Sequence, residues 1–194
     1  MSITSNEYYI AWGECMNDKK WLVLNYVLPK EQSTVRVSVW RKLKKSGSIS
    51  IGQSMWALPV SDEHLETFQV ISNEITEKSG SAYIAYADFI NAGSNEEIES
   101  LFNKARDDEY KEFLEKCDDF FREIEKETER KNFTYIELEE NEDEYDKLVE
   151  WLKKITSKDF FMAPLKEQAT EGLRKCKQLL DQFSKQIYKL NEEE

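Results

Sequence analysis

One short apolar stretch, Trp-Leu-Val-Leu-Asn-Tyr-Val-Leu at residues 21–28, limits the architectures open to this chain. It is rich in β-branched and aromatic residues, and Pro29 follows it directly. It is far shorter than the roughly 18 consecutive apolar residues that a membrane-spanning helix requires, and no other run in the sequence is longer. The stretch therefore predicts a buried strand, and the sequence predicts no membrane span.

The segments that follow alternate between the helical and the strand pattern. Val35, Val39 and Leu43 lie four residues apart, as residues on one buried side of a helix do. The first predicted helix is capped by Ser33 or Thr34 and ends at Ser46-Gly47. A hairpin over residues 49–58 follows, with its turn at Gly52-Gln53. The next elements are a helix capped by Ser61 and ended by Gly80, and a strand over residues 82–86. Together with the first strand this gives the order βαββαβ, the split βαβ pattern of ferredoxin-like folds.

Beyond the turn predicted at residues 91–93, the pattern is mainly helical. Ser94 and Glu97 form a capping box at the start of one long helix or two consecutive helices. Phe133 and Tyr135 alternate with Thr134, Ile136 and Leu138, and this alternation predicts a short extended segment over residues 133–138. Two more helices are predicted after it, one opened by the acidic residues 139–144 and one over roughly residues 165–190.

The predicted fold class is α+β, with a ferredoxin-like βαββαβ domain over residues 18–92 and an α-helical region over residues 93–194. The two halves of the chain differ in charge. Residues 1–94 carry 9 basic and 10 acidic groups, whereas residues 95–194 carry 18 and 29, so nearly all of the net charge of −12 belongs to the second half. Because an acidic surface repels a phosphate backbone, any contact with nucleic acid must use a local basic surface in the first half.

Few side chains have the arrangement that catalysis or metal binding requires. Cys15, Cys117 and Cys176 lie far apart, and His64 is the only histidine, so we expect neither a zinc site nor a disulfide framework. The phosphate-binding and serine-hydrolase motifs GxxxxGK[ST], GxGxxG and GxSxG do not occur, and the acidic runs are typical of solvated helix faces. We therefore predict a non-enzymatic protein with no catalytic residue, no metal and no cofactor.

The most informative charged cluster lies on the first predicted helix, where no acidic residue occurs between Glu31 and Asp62. Arg36, Trp40 and Lys44 lie four residues apart and share one side of that helix. An aromatic ring between two cations can bind an oxyanion or a phosphate backbone. The candidate binding residues are Arg36, Trp40, Arg41, Lys42, Lys44 and Lys45. The alternative interpretation is a solvated helix face with Trp40 packed against the sheet.

Four stretches of the sequence, taken in order, resemble one known family. They are WLVLNYVLP at residues 21–29, VRVSVWRKLKKSG at 35–47, SMWALPVSDEHLETFQ at 54–69 and KDFFMAP at 158–164. Their order and spacing resemble the N-terminal domain of the ChrB chromate-resistance proteins. The resemblance implies a ferredoxin-like domain followed by helices, in a family linked to the control of chromate-efflux genes.

The same domain is similar to that of PaaX-type repressors, and through it to CRISPR adaptation nucleases of ferredoxin-like fold. Those nucleases place a metal-binding Asp at the end of the first strand, whereas this chain has Asn25 there and no acid before Glu31. That departure argues against nuclease activity. Full-length ChrB proteins continue into a further domain, so the resemblance leads us to expect that this chain, which ends at Glu194, regulates through a partner.

These observations lead to one functional hypothesis and two alternatives. We expect a cytoplasmic regulatory or adaptor protein of chromate or oxyanion resistance that acts through protein contacts, with a possible chromate or DNA contact at the basic helix. A homodimer is a possible assembly because the edge strand of such a sheet invites a second strand. The alternatives are a DNA-binding regulator of a chromate-efflux operon and an inactive relative of the ferredoxin-like nucleases.

Overall fold

A computed structural model describes residues 21–91 and 93–192, and it confirms the α+β class. Cys15 and the first three residues of the predicted domain at 18–92 lie outside these ranges. The elements in chain order are β1 (Trp21–Val27), α1 (Ser33–Lys45), β2 (Ile49–Gly52), β3 (Met55–Pro59), α2 (Asp62–Glu77), β4 (Ser81–Ala87), α3 (Ser94–Glu129), α4 (Tyr135–Thr156) and α5 (Lys166–Glu192).

The four strands form one sheet in the order β2-β3-β1-β4, and every neighbouring pair is antiparallel. β1 lies inside the sheet, where Leu22 and Leu24 are fully buried, which confirms the buried strand predicted from its apolar composition. Leu24 faces Trp56 of β3 on one side and Ile84 of β4 on the other. The predicted order βαββαβ is therefore present, and the ferredoxin-like assignment itself stays a prediction.

Two turns of this region, the hairpin turn between β2 and β3 and the turn between α2 and β4, depend on the backbone conformation of particular residues. The hairpin turn lies at Gln53-Ser54, one residue later than predicted, with Ser54 at a φ of 57°. α2 ends at Glu77, three residues before the predicted end at Gly80, and the Gly80 N–H donates to Ile75 O at 2.9 Å. A Cβ atom at this position would lie 2.7 Å from Val27 O, so only glycine fits between α2 and β1.

The start of β1 is fixed by the first turns of α3. The Trp21 ring stacks on Phe102 with 5.7 Å between centroids and 6° between planes. Its indole N–H donates to Asn95 Oδ1 at 2.7 Å, and the amide of Asn95 donates in turn to Asp88 at 3.2 Å. These contacts satisfy the one polar atom of a fully buried tryptophan.

The chain divides into two compact units between Phe102 and Asn103, a point within α3. The predicted boundary between residues 92 and 93 stays a prediction. The second unit, called the helical unit below, comprises the described residues from Asn103 onward. Its buried core includes Tyr110, Phe113, Cys117, Phe120, Leu152, Cys176, Leu180 and Phe183. None of the helices in the described part of the chain is long and apolar enough to cross a membrane.

The prediction of an extended segment over residues 133–138 is wrong. Thr134 is the N-cap of α4, with extended backbone at φ −108° and ψ 155°, and its hydroxyl accepts the N–H of Glu137 at 3.2 Å. The helix begins at Tyr135. The alternation that suggested a strand is too short to compete with a hydroxyl cap followed by buried positions at helical spacing, Leu138, Asn141, Leu148, Leu152 and Ile155.

Candidate functional site

The basic helix α1 begins one residue earlier than the predicted cap allows. Gln32 occupies the N-cap position, and no side chain caps the helix, so the prediction of Ser33 or Thr34 as the cap is wrong. The helix start is held instead by the backbone, since the N–H of Gln32 donates to Pro29 O at 3.1 Å. At the other end, Lys42, Lys44 and Lys45 lie in the last turn, where cations interact favourably with the helix dipole.

The helical repeat distributes the candidate residues over three sides of α1. Val39 and Leu43 are fully buried and define the core side. At about 3.6 residues per turn, Arg36, Trp40 and Lys44 follow one another along one flank of that side, as predicted. Lys42 lies on the opposite flank, toward α2, and Arg41 lies on the solvent side. The six candidates therefore do not form a single cluster.

Arg36 is engaged by the backbone of the preceding loop. Its Nη2 donates to Pro29 O at 3.1 Å and to Leu28 O at 3.4 Å. Burial raises the pKa of the nearby Tyr26 hydroxyl, and the positive charge of Arg36 partly offsets that rise. Arg36 thus stabilises the end of β1 and its loop, and its guanidinium has fewer donors left for a ligand.

Lys42 is neutralised by a carboxylate of α2. Its Nζ lies 2.6 Å from Glu74 Oε2, and the other carboxylate oxygen accepts the hydroxyl of Ser38 at 3.1 Å. Glu74 was not part of the sequence prediction, because nothing in the linear pattern shows that α2 brings an acid against α1. The pair removes one of the five cations from the field that the helix presents to solvent.

Three cations of α1 remain free. Arg41, Lys44 and Lys45 are exposed, and the structure gives them no hydrogen bond or ion pair to any described residue. Trp40 beside them is 48% exposed, so about half of its surface is accessible to solvent, and the alternative interpretation stays a prediction. The helix α1 therefore presents three unpaired cations to solvent, with an aromatic ring on the same helix.

A shallow open depression of about 580 Å³ lies along the solvent side of α1. Its lining includes Arg41, the hydroxyl residues Ser33, Thr34 and Ser38, and Val37. Hydroxyl and guanidinium donors on one side of a helix can bind an anion. Sequence analysis missed the hydroxyl residues, although the helical repeat from Thr34 to Ser38 to Arg41 is the signal that would have identified them.

The remaining polar groups of interest have structural partners. The ring nitrogen Nδ1 of His64 lies 2.7 Å from Pro59 O, and its backbone N–H donates to Ser61, which is the predicted cap of α2. The amide of Asn25 donates to Ser54 O at 3.3 Å. Cys117 and Cys176 are free and buried, and the hydrogen bond between them, together with burial, raises the pKa of the Cys176 thiol. None of these contacts forms a nucleophile with an adjacent base.

The KDFFMAP segment at residues 158–164 connects α4 to α5, and two carboxylates of the helical unit accept hydrogen bonds within it and next to it. Asp159 accepts the Tyr110 hydroxyl at 3.0 Å and the N–H of Ala163 at 2.9 Å. Asp107 of α3 accepts the N–H of Leu165 at 2.9 Å. These hydrogen bonds join the connection between α4 and α5 to α3 within the helical unit.

Sequence analysis did not identify a buried arginine in the same region. Arg106 is 3% exposed and pairs with Glu109 at 3.1 Å, and Glu109 also binds Lys158 at 2.7 Å. Among the residues that the structure describes, no hydrogen-bond partner is found for Arg106 Nε and Nη1 or for the side-chain oxygen Oδ1 of Asn103. Within residues 21–91 and 93–192, no group of three or more His, Cys, Asp or Glu side chains could hold a metal ion.

Comparison with known proteins supplies the family. No curated protein and no solved structure matches the chain. Residues 36–194, which span both compact units, match the model of the family described as "Protein ChrB, N-terminal". The chain therefore belongs to the ChrB N-terminal family, and this membership fits a role linked to chromate resistance.

Proposed function

We propose that this protein is a non-enzymatic regulatory or adaptor protein of chromate or oxyanion resistance, and that the exposed cations of α1 make its functional contacts. The observation that carries the proposal is the free set of Arg41, Lys44 and Lys45 on a chain whose net charge is −12. The carboxylate of Glu74 pairs with Lys42 and with none of these three cations. Family membership supports the link to chromate.

The contact surface fits an anionic partner. Free guanidinium and ammonium groups attract carboxylates, phosphates and oxyanions, and the exposed ring of Trp40 adds apolar contact area next to the charge. The hydroxyl groups of Ser33 and Thr34 supply further donors beside Arg41, whereas the hydroxyl of Ser38 already donates to Glu74. A partner with an acidic surface segment satisfies these groups without any chemical reaction.

A DNA-binding regulator is the second candidate, because the same three cations can contact phosphates. Three free cations, however, release few counterions, since Arg36 and Lys42 are already engaged. The net negative charge of the helical unit also repels the phosphates of DNA. The DNA interpretation therefore predicts weak binding with a shallow dependence on salt, whereas the adaptor interpretation requires no binding to DNA.

The test compares two charge reversals in a strain that lacks the native gene. Arg41→Glu with Lys44→Glu changes the proposed surface, and Lys111→Glu with Lys153→Glu makes the same change in net charge at exposed positions of the helical unit. We expect the control variant to restore growth on chromate and the α1 variant to fail at equal protein level. Equal growth of the two strains, or normal chromate tolerance of the deletion strain, contradicts the proposal.

Two binding measurements then separate the partner classes. Gel shifts with the gene's own promoter fragment test for DNA, and only the DNA interpretation predicts a shift that Arg41→Glu with Lys44→Glu abolishes. Titration of chromate against tryptophan fluorescence, with Trp40→Phe as the control for inner-filter absorption, tests direct oxyanion binding. A response that persists in Trp40→Phe comes from other tryptophans or from absorption and counts against an oxyanion site at α1.

A further inference from the structure

β4 forms one edge of the sheet, and its outer side carries no strand among the described residues. Its seven residues, Ser-Ala-Tyr-Ile-Ala-Tyr-Ala, contain neither a charge nor a proline, the features with which proteins commonly block edge strands. The opposite edge, β2, is only four residues long and has an irregular register between Ser50 and Gly52. One edge is therefore protected and the other is open to another strand.

The sequence of β4 is complementary to itself about Ile84. If two copies pair antiparallel with Ile84 opposite Ile84, then Tyr83 faces the partner's Ala85 and Ala82 faces the partner's Tyr86. Each large ring then lies against a small side chain, so the rings do not compete for the same space. Alternation of large and small residues about a centre is what a two-fold symmetric contact requires.

The charges that flank β4 agree with this arrangement. Lys78 precedes the strand and Asp88 follows it, and no ionisable residue other than tyrosine lies between them. Antiparallel pairing brings the beginning of one strand toward the end of the other, so unlike charges approach at both ends. Parallel pairing would instead place like charges side by side.

The exposure of the strand also favours a second copy. Tyr83 is 69% exposed, and Ala85, which lies on the same face of the sheet, is exposed as well. We propose that β4 pairs antiparallel with β4 of a second copy of this chain about a two-fold axis at Ile84, which joins two four-stranded sheets into one continuous sheet. This interface uses the sheet edge and does not depend on the function proposed for α1.

The first test is the oligomeric state of the full chain by sedimentation velocity over a wide range of concentrations. We expect a dimer whose dissociation constant rises about tenfold or more in Ala85→Lys and in Tyr83→Glu, because each substitution removes the fit of ring to alanine and adds a charge at the edge. Val70→Lys adds a positive charge, as Ala85→Lys does, but at an exposed position of α2, and we expect it to leave the dissociation constant of the dimer unchanged. A wild-type chain that remains monomeric throughout contradicts the proposal.

Mixing the two variants tests the register itself. In a mixed dimer, the introduced lysine at position 85 faces the introduced glutamate at position 83, so the 1:1 mixture is expected to dimerise more tightly than either variant alone. Hydrogen exchange gives a measurement that needs no substitution. Amides of β4 that point away from β1 should exchange more slowly as wild-type concentration rises, and protection confined to other segments, or no gain on mixing, contradicts pairing through β4.

Discussion

The two compact units stabilise themselves in different ways. The first unit buries β1 between neighbouring strands and leaves cations of α1 and the edge of β4 without described partners. The helical unit pairs its charges locally, most often between residues three apart, as Lys116 does with Asp119 and Arg174 with Glu171. The helical unit thus keeps an excess of carboxylates beyond its local pairs, whereas the first unit presents the unpaired cations on which the proposed contact surface depends.

The largest effect is expected from a cavity in the sheet. Leu24→Ala removes a fully buried side chain at the centre of β1 and should lower the free energy of unfolding by about 3 kcal/mol. Val37→Ala, at a position that is 46% exposed, is the control and should change stability little. Urea unfolding followed by circular dichroism measures both. Similar values for the two variants would show that β1 does not hold the first unit together.

Alkaline pH should act on the helical unit through Tyr110. Burial raises the pKa of Tyr110 to about 12, so the folded protein retains a proton that the unfolded chain releases above pH 10. The stabilisation is complete below pH 10 and is lost as pH rises to 12, by about 2 kcal/mol. Urea unfolding at pH 8 to 11.5 should show a smaller decline for Tyr110→Phe than for wild type, and parallel declines would contradict this assignment.

Removal of a buried carboxylate tests the loop that closes the helical unit. The Asp159 side chain is fully buried, so Asp159→Asn weakens its bonds to the Tyr110 hydroxyl and to the N–H of Ala163 and should cost about 2 kcal/mol. Asp119→Asn removes a carboxylate that is bound only at the surface and should leave the melting temperature nearly unchanged. Equal shifts would mean that Asp159 contributes no more than a surface charge.

The smallest effect on stability, and the most direct on function, is expected from Glu74→Gln. The substitution frees Lys42 from its ion pair and adds one cation to those that α1 presents. The melting temperature should change little, because this pair is partly exposed. Binding of an anionic partner or of inorganic oxyanions, measured by calorimetry, should become modestly tighter and more sensitive to salt, and unchanged binding would show that α1 is not the contact surface.

Sequence patterns predicted the elements wherever apolar spacing was unambiguous. β1, the four-residue spacing of α1 and the Ser61 cap of α2 were all recognisable, because each depends on neighbours close in the chain. Residues 133–138 were assigned wrongly because a few alternating side chains fit both a strand and the first turn of a helix. The start of α1 was missed because its N-cap is held by backbone geometry, which carries little sequence signal.

The candidate site could be only partly predicted. The stripe of Arg36, Trp40 and Lys44 follows from the helical repeat, but nothing in the linear pattern distinguishes the engaged Arg36 and Lys42 from the free Arg41. Their engagement by Pro29 O and by Glu74 depends on where a loop and a second helix lie in space. Arg106 was overlooked for the same reason, because its burial is a property of packing and not of the residues beside it in the chain.

The sequence by itself determined the α+β order, the buried strand and the acidic second half, since local periodicity and composition fix these. The family resemblance rests on the order and spacing of four stretches of the sequence. Only the tertiary structure decided which cations stay free, which strand becomes the open edge and which polar groups are buried. Those outcomes depend on contacts between residues far apart in the chain, such as the 32 positions that separate Lys42 from Glu74. The energies of such contacts arise after the elements have packed, so no local pattern encodes them.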